Sequence, residues 1–107
     1  MVIKQYGVYL VNLDPTQGSE IRKIRPCFVI SPDEMNQHLR TVQIVPLTSN
    51  IRAYPWRVPV KFQNKKGTLA VDQIRTIDKS RMIKHMGGLK AKEIEAFKHV
   101  LRQMLID

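Results

Sequence analysis

Three polar segments of this chain hold the residue types best suited to chemistry, and each one follows or interrupts an apolar run. They are residues 18–26, residues 46–49 and residues 72–75. The first contains three basic side chains, the second ends in two hydroxyl residues, and the third begins with a carboxylate and ends with a guanidinium. These groups can bind a phosphate, donate a hydrogen bond or exchange a proton, so the three segments form the candidate functional site.

The common hydrolytic and nucleotide-binding motifs are missing from the sequence. It contains no GxSxG, HExxH, CxxC or Walker motif. The histidines His38, His85 and His99 are scattered, and we interpret them as surface or incidental residues. Cys27 is the single cysteine, and its apolar neighbours suit a small buried hydrophobe. We therefore expect no metal site and no cofactor.

The chain carries a formal charge of +9 that is concentrated in its middle. Residues 22–66 hold nine basic and two acidic side chains, and residues 79–107 hold seven and three. Such an excess most often neutralises phosphates, so a nucleic acid is the first partner expected. An acidic protein is the second, and a solvated basic surface without a specific partner is the alternative to both.

The length of 107 residues predicts a single domain, residues 1–107, with one core. An apolar fraction of 43%, spread along the chain, argues against disorder. No apolar run approaches the roughly 18 residues that span a bilayer, and the N-terminus lacks the layout of a signal peptide. We therefore expect a cytoplasmic protein with no membrane partner.

Short apolar runs separated by turn residues predict a mainly β protein. An almost continuous apolar run at residues 6–13 is typical of a strand covered on both faces, and further strands are predicted at residues 27–30 and 41–47. Residues 56–62 alternate between apolar and polar or basic positions. Because they include Pro59, which cannot donate to an internal ladder, they predict an edge strand.

The second half of the chain ends in a helical pattern. Residues 64–67 predict a hairpin turn into residues 68–78, which form one bent strand or two, and Gly87-Gly88 then interrupts the chain. From Lys90 the apolar residues recur at helical spacing, which predicts a C-terminal helix without an obvious N-cap. Its expected core stripe is Ile94, Phe97, Val100, Leu101, Met104 and Leu105. Five or more strands with one packed helix indicate a small, partly open β-barrel.

Four ordered motifs cover nearly the whole chain. They are Leu13-Asp14-Pro15-Thr16 with Gly18-Ser19-Glu20, Arg25-Pro26 leading Cys27-Phe28-Val29-Ile30-Ser31-Pro32, Val45-Pro46-Leu47-Thr48-Ser49, and Asp72-Gln73-Ile74-Arg75-Thr76-Ile77-Asp78. In these motifs the sequence resembles the MazF/PemK family of toxin endoribonucleases, the RNA-cleaving halves of bacterial type II toxin–antitoxin pairs. Each motif alone is weak, and the four in this order are specific.

The resemblance implies an SH3-like barrel, a homodimer and metal-independent cleavage of single-stranded RNA at short sequences. By family analogy the products carry a 2′,3′-cyclic phosphate and a 5′-hydroxyl. It also implies a small, acidic, MazE-like antitoxin, whose tail would occupy the RNA groove. The sequence recognised by the nuclease depends on loop geometry that one chain does not reveal.

The resemblance also selects the catalytic residues. A Kid-like branch of the family uses the Asp of the Asp-Gln motif, an Arg two residues before it and a loop His, but here the last two positions hold Ala70 and Ser19. The Arg and Thr of MazF-like members match Arg25 and Thr48. We therefore expect these two to be catalytic, with Arg25 neutralising the phosphorane and Thr48 fixing the in-line geometry.

The proton acceptor is left open by the sequence. Glu20 and Asp72 are the candidates, and Asp72 alternatively orients Arg75 or caps a backbone amide. Tyr54 and Trp56 either stack on bases or pack in the core. RNA contacts are expected from Thr16, Gln17, Ser19, Arg22, Lys23, Ser49, Arg52, Tyr54, Gln73 and Arg75.

Two other functions remain alternatives. A non-enzymatic gyrase poison, CcdB, uses the same barrel and depends on an aromatic-containing C-terminus, whereas this chain ends in Met104-Leu105-Ile106-Asp107. A basic barrel that binds RNA without cleaving it fits the composition, but it leaves the pattern of Arg25, Thr48 and Asp72 without a purpose.

Overall fold

The computed structural model of the protein describes residues 1–14, 18, 23–50 and 54–107. Seven strands form one antiparallel sheet: β1 (Gly7–Asn12), β2 (Ile24–Val29), β3 (Thr41–Thr48), β4 (Arg57–Phe62), β5 (Lys65–Ala70), β6 (Arg75–Asp78) and β7 (Met82–Gly88). Within the described residues, two helices accompany these strands, a short α1 (Asp33–His38) and a C-terminal α2 (Ala91–Leu105).

The sheet is curled, and β4 and β7 lie at its two ends. The strand order is β4-β5-β3-β2-β1-β7, and β6 pairs with β3 on the same edge as β5. The two end strands approach each other where Gly87 faces the ring of Phe62, since a Cβ at Gly87 would lie 3.5 Å from that ring. The sheet therefore forms a half-barrel that side chains complete.

Two groups of buried side chains fill the interior. One lies beneath β1, β2, β3 and β6 and includes Tyr9, Val11 and Ile44. The other lies beneath β4, β5 and α2, and at its centre the ring of Phe97 packs edge-on against Phe28 with the ring centroids 5.1 Å apart. The helix thus covers one half of the curled sheet.

The N-terminus of α2 is attached to the edge strand β4 by one carboxylate. Glu93 accepts the backbone N–H of Lys90 at 2.9 Å and the backbone N–H of Lys61 at 2.7 Å. These bonds cap the helix and satisfy a donor of the sheet edge at the same time. As the sequence predicted, the N-cap position, Lys90, makes no capping bond with its side chain; the helix start is capped instead by Glu93, three residues into the helix.

The ladder between β2 and β3 contains three residue pairs and ends at Cys27 opposite Pro46. Neither Pro26 nor Pro46 has an N–H to extend it. Beyond this point β2 continues along β1, whereas β3 pairs with β5 from Leu47 onward. The two strands therefore diverge, and the sheet opens between them.

Most elements follow the sequence pattern. The strands predicted at residues 6–13, 41–47 and 56–62 are β1, β3 and β4, and β4 lies at an end of the sheet as Pro59 required. The predicted strand at residues 27–30 begins earlier, at Ile24, because its first three residues pair with β1. The segment 68–78 contributes to two strands, β5 and β6, which a 3-10 turn at Val71–Gln73 separates.

Other expectations were wrong. The hairpin between β4 and β5 turns at Gln63 and Asn64, which both have positive φ, and not at residues 64–67. The sequence analysis missed the strand β7. It interpreted Gly87-Gly88 as an interruption of the chain, whereas these glycines are the last two residues of the strand. Met104 and Leu105 at the end of α2 are exposed, whereas Phe97 is buried and the rest of the predicted stripe is partly buried.

In the part of the chain that the structure describes, no helix is both long enough and apolar enough to cross a bilayer.

Gly67 in β5 provides a test of how closely the sheet is packed at the divergence. A Cβ at this position would lie 2.6 Å from the carbonyl oxygen of Thr48, so Gly67→Ala must displace the end of β3. We expect a loss of about 1–3 kcal/mol in the free energy of unfolding, measured by urea titration.

Gly88→Ala is the matched control, because its Cβ would meet its nearest neighbour only at 4.0 Å. This variant should be neutral or stabilising by about 0.5 kcal/mol, since a strand glycine costs entropy on folding. Equal destabilisation by the two substitutions would show that contact with Thr48 is not the reason for a glycine at position 67.

Candidate active site

A cleft of about 280 Å³ lies where β2 and β3 diverge. Arg25 of β2 and Thr48 of β3 both line it, and both are half-buried. Its other polar lining comes from Ser49, Gln63, Lys65 and Lys66, and its apolar lining includes Val60, Phe62 and Met86. The structure thus brings together the two residues that the sequence assigns to catalysis.

The guanidinium of Arg25 lies in a region of concentrated positive charge. Burial raises the pKa of the Cys27 thiol to about 12, and the charges of Arg75 and Arg25 oppose this rise only in part. Both arginines therefore act electrostatically on the same buried thiol between β1 and β3. Of the two arginines, Arg25 lines the cleft together with Lys65 and Lys66, and these cations are suited to an anionic ligand.

The hydroxyl of Thr48 is held in a defined position at the end of β3. Its Oγ1 accepts the backbone N–H of Asn50 at 3.2 Å. The hydroxyl of the buried Thr68 on β5 donates to the carbonyl of Asn50 at 2.9 Å. The turn after β3 is therefore fixed from both sides, and the hydrogen of Thr48 Oγ1 can point to a group in the cleft.

Arg75 supports the chain where β1 ends. Its Nη1 donates to the carbonyl of Leu13 at 3.1 Å, and Arg81 donates to the carbonyl of Asp14. Asp14 in turn accepts the backbone N–H of Lys23 at 3.0 Å, and the Leu13 N–H donates to the Lys23 carbonyl at 2.9 Å. These bonds close the base of the segment between β1 and β2.

Asp72 does not line the cleft and is held by an arginine on another strand. Its two oxygens accept from Nε and Nη2 of Arg57 at 2.7 and 3.1 Å. The structure thus gives Asp72 a partner, Arg57, that the sequence did not predict. Gln73, in the same 3-10 turn, is half-buried.

Tyr54 and Trp56 form a stacked pair on the surface. Their ring centroids are 5.0 Å apart, their planes differ by 8°, and the residues are 38% and 40% exposed. Of the two roles left open for Trp56, packing in the core is excluded by this exposure. The remaining predicted RNA contacts in the described part, Lys23 and Ser49, are exposed.

Several predicted site residues lie outside the described residues. These are Thr16, Gln17, Ser19, Glu20, Arg22 and Arg52. Conversely, the cleft contains Lys65 and Lys66, which the sequence analysis interpreted only as part of a turn. Their adjacency in a basic segment was the available signal, and the wrong turn position concealed it.

No group of three or more His, Cys, Asp or Glu side chains that could hold a metal ion occurs among the described residues. His38 and His99 are exposed, and the ring of His85 packs against Tyr9.

The fold and the site define a small, basic, barrel-like protein with a cleft suited to an anionic ligand. The family described as the PemK-like, MazF-like toxin of type II toxin-antitoxin systems matches residues 4–105. The chain belongs to this family, as the four motifs predicted.

Solved structures agree with this assignment. The MazF of Deinococcus radiodurans is 25% identical, with a TM-score of 0.88 over 98% of this chain and 97% of that one. The Mycobacterium tuberculosis toxin MazF-mt6 is 22% identical, with a TM-score of 0.77 over 91% and 93%. A mycobacterial endoribonuclease in complex with its cognate antitoxin is 21% identical, with a TM-score of 0.81 over 96% and 94%. The predicted mainly β, barrel-like fold with a C-terminal helix is confirmed.

The buried thiol predicts a specific dependence of stability on pH. Because the pKa of Cys27 in the folded protein, about 12, lies above its ordinary value of 9.0, folding disfavours the thiolate. The stabilisation from a neutral thiol is complete below pH 9 and is lost as the pH rises toward 12. At pH 10.5 the loss amounts to about 2 kcal/mol.

Urea titrations of the wild type and Cys27→Ala at pH 8.0 and 10.5 measure this term. The wild type should lose about 2 kcal/mol more than the variant between the two pH values, since other titrating groups contribute equally to both. Equal losses would show that Cys27 ionises in the folded protein as readily as in the unfolded chain.

Proposed function

We propose that this chain is the toxin of a type II toxin–antitoxin pair and that it acts as a sequence-specific, metal-independent endoribonuclease on single-stranded RNA. The observation that carries the proposal is the position of Arg25 and Thr48 in one cleft, where β2 and β3 diverge. Membership in the toxin family supports it.

The proposed reaction is an internal transesterification. The 2′-oxygen of the RNA loses its proton and attacks the adjacent phosphorus, and the bond from phosphorus to the 5′-oxygen breaks. The leaving 5′-oxygen takes up a proton, so the products are a 2′,3′-cyclic phosphate and a 5′-hydroxyl. The barrier comes from the charge that accumulates on the phosphorane and from the in-line geometry of attack.

We assign stabilisation of the phosphorane to Arg25 and orientation of the phosphate to Thr48. A guanidinium stays protonated at neutral pH and offers a planar fork to two phosphoryl oxygens, so charge neutralisation suits Arg25 better than proton abstraction. Thr48 accepts a backbone N–H and can donate its own hydrogen to a third oxygen. Arg25 thus neutralises the charge of the phosphorane, and Thr48 fixes the geometry of attack.

We assign proton abstraction to Glu20. The other candidate, Asp72, uses both of its oxygens in the ion pair with Arg57, and protonating it would break a bidentate interaction. Asp72 is also absent from the lining of the cleft. Its proposed role is therefore to hold Arg57.

Substitutions at the cleft test the catalytic assignment. Arg25→Ala should lower kcat/KM by roughly 100- to 1000-fold, as removal of a single transition-state donor typically does. Arg25→Lys should also be strongly impaired, because a point charge does not replace the planar fork. Thr48→Ala should lose roughly 10- to 100-fold, the value of one hydrogen bond to a charged group.

The assay uses a long single-stranded RNA in EDTA, with the new ends mapped chemically. Arg40→Ala and Thr76→Ala are matched controls at exposed positions outside the cleft, and they should cleave like the wild type. A well-folded Arg25→Ala or Thr48→Ala variant with wild-type rate would remove that residue from the site. Binding without cleavage by the wild type would indicate the non-cleaving RNA-binding barrel, and loss of activity in EDTA would exclude a metal-independent reaction.

The tip of the β4–β5 hairpin supports a polyanionic substrate. Lys61 and Lys66 are cross-strand neighbours, Lys65 lies beside them, and all three are exposed. Like charges directly opposite on adjacent strands are destabilising in the free protein. Such a cost is offset when a phosphate chain passes between the side chains, so we propose that the RNA backbone follows this tip into the cleft.

Salt dependence measures these phosphate contacts. Each contact to single-stranded RNA adds about 0.7 to the negative slope of log K against log salt concentration. Lys65→Gln/Lys66→Gln should therefore reduce the magnitude of the slope by about 1.4 relative to the wild type. The control Lys84→Gln/Lys92→Gln removes the same charge outside the cleft and should change the slope less. Identical slopes for both double variants would contradict the proposed path.

We also propose that the protein is a cytoplasmic homodimer and that a small acidic antitoxin controls it. The neighbours of this fold include MazE-MazF complexes from Deinococcus radiodurans. A net charge of +9 on the chain, with Arg25, Lys65 and Lys66 lining the cleft, makes an acidic chain a suitable competitor for RNA.

Expression in a bacterium tests whether an antitoxin regulates the protein. Wild-type protein alone should arrest growth, the Arg25→Ala form should not, and co-expression of an acidic partner encoded beside the toxin gene should restore growth. In vitro the same partner should raise the apparent Kd for RNA in proportion to its concentration. A partner that abolishes cleavage and leaves RNA affinity unchanged would place inhibition at a remote site.

A further inference from the structure

Tyr54 and Trp56 form a stacked pair of aromatic side chains on the surface of the protein. Both rings are more than a third exposed, although together they carry two of the largest side chains of the molecule. Exposed aromatic area is unfavourable in water, and the partly exposed indole of Trp56 offers a surface to a planar ligand.

The pair is displayed rigidly. The backbone N–H of Arg57 donates to the carbonyl of Tyr54 at 3.0 Å, which closes a tight turn that contains Pro55. The side chain of Arg57 is then anchored by its bidentate ion pair with Asp72. A surface whose backbone and flanking side chain are both fixed loses little entropy when it binds a ligand.

The pair also lies within reach of the cleft. Thr48 pairs with Thr68, and Thr68 pairs with Pro59, so Arg57 is two strands across and two residues along from Thr48. On a flat sheet this separation is about 12 Å, a distance that a short stretch of extended RNA can span. The lysines at the hairpin tip lie farther along the same strand, β4, and its partner β5.

The geometry points to Trp56 as the stacking platform for one unpaired base of the RNA, next to the nucleotides that occupy the cleft. Tyr54 supports the indole from its other face, and Arg57 with Asp72 fixes the turn. This inference rests on the proposed RNA-cleaving function and adds a base-binding subsite to it. A flat, rigid ring pair at the start of β4, whose other end carries the exposed Lys61, suits a base on a phosphate backbone better than it suits an acidic peptide.

The sequence contains a single tryptophan, so intrinsic fluorescence reports on Trp56 directly. The probe is a single-stranded oligonucleotide in which 2′-deoxy nucleotides prevent cleavage, and fluorescence anisotropy of an end label measures binding independently. Saturating oligonucleotide should quench the tryptophan emission. An abasic oligonucleotide of equal length and charge should bind through its phosphates and leave the emission nearly unchanged.

Affinity measurements complete the test. Trp56→Ala should weaken binding roughly 5- to 150-fold, the range for loss of one stacked base, without changing the salt slope. Trp56→Phe should recover much of the affinity, and Trp56→Leu, which keeps bulk without an aromatic face, should not. Leu39→Ala removes an exposed apolar side chain elsewhere and should bind like the wild type.

The outcomes separate this inference from the proposed function. Binding of the oligonucleotide by anisotropy without quenching, or with equal quenching by the abasic probe, would overturn the base subsite and leave the nuclease proposal intact. Absence of binding by either readout would overturn both. Quenching by an acidic peptide but not by the oligonucleotide would assign the aromatic pair to a protein partner.

Discussion

The end of hydrogen bonding between β2 and β3 is the constraint on which the site depends. Their ladder stops at Cys27 and Pro46, because the prolines at positions 26 and 46 provide no N–H to continue it. Beyond this point β2 pairs only with β1 and β3 pairs with β5, so the two strands diverge. Arg25 on β2 and Thr48 on β3 therefore line the cleft between them. The cleft is thus produced by the course of the backbone, and the side chains only line it.

The sequence pattern predicted the elements in which apolar residues alternate or recur at helical spacing. It failed for elements whose conformation is determined by tertiary contacts. The alternation around Val58 and the spacing of the apolar residues before and after Phe97 were sufficient for β4 and α2. The strand β7 has six consecutive exposed or half-buried residues and ends in glycines, so nothing in its composition distinguishes it from a loop. The turn of the β4–β5 hairpin was predicted at the wrong residues because Gly67 was interpreted as a turn glycine. The structure shows that a glycine is required there by close packing against Thr48.

The sequence named candidate site residues, but it did not predict which side chains surround them. The motifs supplied Arg25 and Thr48, but no spacing along the chain shows that Arg57 meets Asp72, since this contact depends on the pairing of Arg57 with Ala70 across β4 and β5. The cations at the hairpin tip were hidden for the same reason. Contacts between distant segments follow from strand register, which a single sequence specifies only weakly before the turns are known.

The carboxylate of Glu93 has a consequence for solubility. A strand at the end of a sheet presents unsatisfied backbone groups that can recruit a second chain and start aggregation. On β4 that hazard is reduced twice, since Pro59 has no N–H and the N–H of Lys61 is occupied by Glu93. One acidic side chain on the helix therefore both anchors α2 and prevents a further strand from pairing at this position. The neighbouring lysines stay exposed, and the edge does not promote aggregation.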